Sequence, residues 1–106
     1  MSSQIKTVTV QIGNSDDRLS QERWSEFIDS VAGEINRWAG GQVHFTGYSN
    51  PTATWQNAAW VFNVPSDKAS WLKYYLTKAC REFSQDSIAW TEGETIFIRP
   101  DEQEQS

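Results

Sequence analysis

Lys6–Asp17, KTVTVQIGNSDD, decides how the rest of the chain is read. Val8, Val10 and Ile12 alternate with Thr7, Thr9 and Gln11, the period-two pattern of a strand with one buried face. Gly13-Asn14-Ser15-Asp16-Asp17 then stops the strand with residues that favour turns. The first strand therefore covers about Ile5 to Ile12 and delivers a polar loop to one end of the molecule.

Working outward, the loop leads into a helix with clear start signals. Ser20 is a good N-cap, and Leu19 before it can staple against Trp24. Trp24, Phe27, Ile28, Val31, Ala32, Ile35 and Trp38 recur at three- and four-residue spacing, so one face of this helix is buried. Gly40-Gly41 ends it. A second strand follows at Val43–Tyr48, read with Val43 and Phe45 inward and His44 and Thr46 outward. A third spans about Gln56 to Val64, where Ala58, Trp60, Phe62 and Val64 alternate with smaller or polar residues. Ser66 or Asp67 would cap a second helix from Lys68 to Phe83, with Ala69, Leu72, Leu76, Ala79, Cys80 and Phe83 buried. Ser87–Thr91 makes a fourth strand. Glu92-Gly93-Glu94 is a turn signal, so Thr95–Arg99 is expected to return as an extra strand in a hairpin.

The order strand, helix, strand, strand, helix, strand is the ferredoxin-like α+β plan. It predicts an antiparallel sheet ordered 4-1-3-2 with both helices on one face, and it makes the first strand central. Residues 1–100 form one domain on this reading, and the acidic tail 101–106 is expected to be disordered.

This topology brings three polar phrases to one end: the loop at Asn14, Ser15, Asp16 and Asp17, the segment Trp55-Gln56-Asn57, and Gln85-Asp86-Ser87. The positive end of the first helix joins them. One account is structural, with these side chains capping backbone groups. Another is a recognition site in which amides and carboxylates bind a polar ligand or partner between Trp55 and Tyr48. A third is a hard-metal site from Asp16, Asp17 and Asp86. Metal is the least specific of the three, and no metal or cofactor is expected. The phrases IGNSDD, WQNA and QDSIAW resemble segments of small uncharacterised bacterial proteins, of the sort found in actinobacteria and their mobile elements. The resemblance spans most of the chain, supports grouping these loops, and implies no activity.

Familiar chemistry is missing. No Gly-Lys-Ser/Thr follows Gly13, so there is no phosphate-cradling loop. The lone His44 lies far from Ser15 and Ser87, which argues against a hydrolytic triad. One histidine and one cysteine cannot build a zinc site. With 14 acidic and 9 basic residues the chain carries a formal charge of −5. No Lys/Arg cluster stands out in the sequence, and nucleic-acid binding is not expected. The outer sheet face (Thr7, Thr9, Gln11, His44, Thr46, Asn57, Ala59, Val61, Asn63) lacks the aromatics on which an RNA-reading sheet stacks bases.

Six tryptophans need places. Trp24, Trp38, Trp60 and Trp90 read as core. Trp71 and Tyr74, beside Lys78, point to water and resemble an interface anchor. The leading functional reading is a small acidic, non-enzymatic protein-interaction module, an inhibitor or immunity-type protein being one form of it. The alternatives are a cofactor-free enzyme of the dimeric α+β barrel type, using Asn57, Asn63, His44, Trp60 and Arg99, or a sensor of a polar small molecule. A homodimer is compatible with the free sheet face. The start MSSQIKTV lacks a signal-peptide pattern and no apolar run suits a membrane, so a cytoplasmic location is expected.

Overall fold

A computed structural model describes residues 4–14, 17–50, 55–93 and 96–100. Its elements are β1 (Ile5–Gly13), α1 (Gln21–Ala39), β2 (Val43–Tyr48), β3 (Asn57–Pro65), α2 (Ser66–Glu82) and β4 (Ala89–Gly93). The four strands form one antiparallel sheet in the order β2-β3-β1-β4. This is the ferredoxin-like βαββαβ arrangement, with β1 in the interior as its sequence implies.

The alternation along β1 and β3 sets which face is buried. Val10 lies opposite Trp60 and Val8 opposite Phe62, and all four are almost fully buried. Phe27, Val31 and Ile35 of α1 and Leu72 and Leu76 of α2 close over them. Each large apolar side chain removed from water in this way contributes about 1.5–3 kcal/mol. The helix α1 begins where its cap residue places it: the Ser20 hydroxyl accepts from the Arg23 backbone N–H. It ends at Gly40, whose φ of 60° is the left-handed geometry that glycine tolerates.

Four details depart from the sequence reading. Residues Val43 and Phe45 are separated by a β-bulge, so Phe45 pairs with Val61 on the outer face and is 54% exposed. An extra residue in one strand reverses the facing of everything beyond it. Thr46 accordingly pairs with Trp60 on the helix side, and the outer face carries one aromatic ring after all. The ring covers Gly47, where an added Cβ would lie 2.6 Å from it. In α2 the N-cap is Pro65, with no side-chain cap; the Ser66 N–H donates instead to the Gln4 carbonyl. The fourth strand lies two residues further along than its apolar pattern suggests.

The hairpin arm is the fourth difference. Residues 96–99 form no strand, and Ile96, Phe97 and Ile98 are among the most exposed large side chains. Among the described residues these three are not part of the packed core. The expected tail 101–106 lies outside the described residues.

At the β1–β4 seam, Lys6 Nζ lies 2.6 Å from Glu92 Oε2 on the helix side of the sheet. Trp90 Nε1 and Lys73 of α2 also reach this carboxylate, at 2.8 and 3.4 Å. Hydrogen bonding from Lys6, then from Trp90, holds the Glu92 pKa down at about 2. A carboxylate with a depressed folded-state pKa stabilises the fold above its unfolded pKa and loses that contribution as pH falls through the folded value. Glu92 should therefore titrate by NMR near pH 2, and in Lys6→Ala its midpoint should rise towards the ordinary carboxylate range. The acid limb of the stability curve, between about pH 4.5 and about pH 2, should flatten in the same variant.

Candidate functional site

The predicted gathering of polar loops occurs, but it works as a clasp. Asn14 follows directly on β1 and is 5% exposed. Its side-chain oxygen accepts from the Leu19 N–H at 2.9 Å, and its amide nitrogen donates to the Leu19 carbonyl at 2.9 Å. The same nitrogen donates to Gln56 Oε1 at 3.0 Å, while the Asn14 backbone N–H donates to the Gln56 carbonyl. Gln56, also buried, passes its own amide to Gln21 Oε1 in the first turn of α1. One asparagine thus ties the exit of β1, the start of α1 and the approach to β3. Asp17 completes the turn, with φ of 55° and its N–H on the Asn14 carbonyl. Buried amides with this many partners are already saturated and have little left to offer a ligand.

The third phrase joins through Arg18. Its Nη1 lies 3.0 Å from Asp86 Oδ1 and 2.9 Å from the Ser84 carbonyl, bracing the loop after α2 against the loop before α1. Gln85 is buried and donates to the Phe83 carbonyl. The Cys80 thiol is half-buried, 3.2 Å from the Gln85 carbonyl; burial, then the nearby Asp86, raises its pKa. Ser87 is exposed on the rim of a hollow of about 550 Å³ between α2 and β4. Trp55 is 70% exposed and forms no wall over the amides. Ser15 and Asp16 lie outside the described residues. Among the described residues no cluster of three metal-ligating side chains occurs.

The residues named for an enzyme do not converge. Trp60 is buried under the helices, whereas Asn63 accepts from Thr7 on the other side of the sheet at 3.0 Å. Asn57 donates to the Trp55 carbonyl at the loop end, His44 sits at the bulge, and Arg99 lies beyond the last strand. No pair of them has the donor–acceptor contact that general acid–base work needs.

A different group stands out on the helix face. Trp38, from the last turn of α1, stacks on Trp71 (6.4 Å between ring centres, 10° between planes) and on Tyr75 (5.7 Å, 21°). Tyr74 closes edge-on against Trp71 and Tyr75. Arg37 lies 5.1 Å from the Trp38 ring and 5.5 Å from Tyr75, and Lys78 lies 5.5 Å from Tyr74. Trp71 and Tyr74 are more than half exposed. Spacings of three, four and seven residues put Trp71, Tyr74, Tyr75 and Lys78 on one side of α2. Trp71 and Tyr74 were legible as exposed aromatics. Trp38, Tyr75 and Arg37 were not grouped with them, because the contact joins two helices.

No protein-family profile matches this chain, and no curated protein is similar to it in sequence. Solved structures are similar in fold. The de novo designed protein Foldit4 superposes with a TM-score of 0.61 at 8% identity, over 88% of this chain and all of that one. A hypothetical protein of Arabidopsis thaliana superposes with a TM-score of 0.51 at 11% identity, over 93% and 96% of the two chains. At such identities the likeness establishes the fold alone, and a designed protein carrying the same fold shows how little function follows from it.

The clasp makes a sharp distinction between two polar positions. Asn14→Ala should lower stability by about 2–3 kcal/mol, because it strands buried partners on Leu19 and Gln56. Asp86→Ala removes an exposed ion pair and should change stability by about 0.5 kcal/mol or less. Urea unfolding of both variants checks this; equal effects would mean that the loop end is not organised around Asn14.

Proposed function

We propose that this chain is a non-enzymatic protein-interaction module that binds an acidic surface of another protein through the aromatic face of its two helices. The observation that carries the reading is the stack of Trp38, Trp71, Tyr74 and Tyr75 with cations laid against its rings. Aromatic residues flanked by Arg or Lys dominate the energetic centres of protein interfaces. A preformed stack also loses little side-chain entropy on binding.

Charge supports the same face. The chain is acidic as a whole, yet α2 carries Lys68, Lys73, Lys78 and Arg81 against Asp67 and Glu82. Lys73 is turned to Glu92 on the β4 side, so the charges laid against the stacked rings are Arg37 and Lys78. Cations held against aromatic rings suit carboxylates on a partner. An inhibitor or immunity-type role is the form this reading takes where the partner is an enzyme.

Affinity capture from the source cell with the tagged chain, beside its Trp71→Ala and Tyr74→Ala variants, tests the proposal. A stoichiometric acidic partner should be captured, with affinity falling about tenfold or more in each variant and with rising salt. The variants should unfold at nearly the wild-type midpoint, since both side chains are exposed. Undiminished capture by both variants would remove the helix face from the reading.

A further inference from the structure

The four strands contain two charged side chains, Lys6 and Glu92, and both project to the helix side, where they pair. The other side of the sheet carries none. Its centre is Thr9, Ala59 and Val61, with Phe45 beside them, in a chain that has 14 acidic and 9 basic residues, all but these two outside the strands. A solvated antiparallel sheet ordinarily alternates apolar inside with strongly polar outside. Edge strands are ordinarily protected by charged side chains, especially Lys. The strand β2 has neither Lys, Arg, Asp nor Glu, and the Glu92 of β4 is turned away.

We infer that this outer sheet face is covered by a second copy of the chain, in a two-fold dimer that packs sheet against sheet. The choice of occupant rests on charge and area. Two identical chains of net charge −5 repel one another over most of their surfaces. The neutral face is where they can meet without stripping water from an ion or opposing like charges. A two-fold interface needs a self-complementary patch, and an uncharged face that carries both amide or hydroxyl side chains (Thr7, Gln11, Asn63) and apolar ones (Val61, Phe45) meets that condition. Four strands about 4.8 Å apart, with central strands about 30 Å long and shorter edges, present roughly 500 Å² per copy, or about 1,000 Å² for the pair. That reaches the lower bound for a specific interface. Ile96, Phe97 and Ile98 begin three residues beyond β4 and are 77%, 73% and 77% exposed, apolar area that a second copy would cover.

The dimer is distinct from the helix-face interaction, because the two surfaces lie on opposite sides of the molecule. The purified chain should elute, by light scattering at high micromolar concentration, at twice the 12.1 kDa of one copy. Val61→Arg, at the centre of the face, should give a monomer with unchanged circular dichroism. The double change Phe97→Ser with Ile98→Ser should weaken the dimer by about tenfold or more in dissociation constant. The Trp71→Ala variant should remain dimeric. A monomeric wild type, a Val61→Arg variant that stays dimeric, or dissociation by Trp71→Ala would each overturn the proposal. An unchanged dimer in the Phe97/Ile98 variant would overturn the part given to the arm.

Discussion

β1 runs between β3 and β4, so the chain leaves it from inside the protein, where water does not reach the backbone. Everything at that end answers to this constraint. The first residue out of the strand must supply hydrogen bonds to whatever it passes, and Asn14 does so with both ends of its amide. Gln56 can be buried because Asn14 and Gln21 satisfy it, and α1 can start close to the sheet because its first turn is part of the same network. A buried polar group without such partners costs more than the apolar contacts around it return.

The same constraint separates structure from function in this fold. Polar side chains gathered from distant loops resemble a binding site, but here they are occupied with one another. Two other surfaces remain open. One is the stacked face shared by α1 and α2, where rings and cations lie open to solvent. The other is the neutral face of the sheet.

Much of this was readable in the residues themselves. The alternation at Val8–Ile12 and Ala58–Val64, the apolar stripe from Trp24 to Trp38 and the glycine stop at Gly40 are local patterns, and they led directly to the observed topology. The contents of the loop end were also foreseeable once the topology was known. Whether its side chains were free or occupied was not, since Asn14 and Gln56 are 42 residues apart. Phe45 was misplaced because one extra residue at the bulge leaves no mark in a period-two pattern. The aromatic face was half visible: α2 shows its own exposed rings, but the stacking of Trp38 on them depends on how two helices dock. Residues 96–98 look like a strand because they are β-prone and apolar; among the described residues they pair with no strand, and propensity alone makes no sheet.

The clasp also carries a statement about time. Asn14 can reach Gln56 only after β3 has paired with β1, and Gln21 can reach Gln56 only after the helix has begun to dock. Until then these amides remain hydrated. Bonds of this kind close no earlier than the docking of β3 and α1 on β1. The loop at the end of β1 is therefore a latch on elements already brought together.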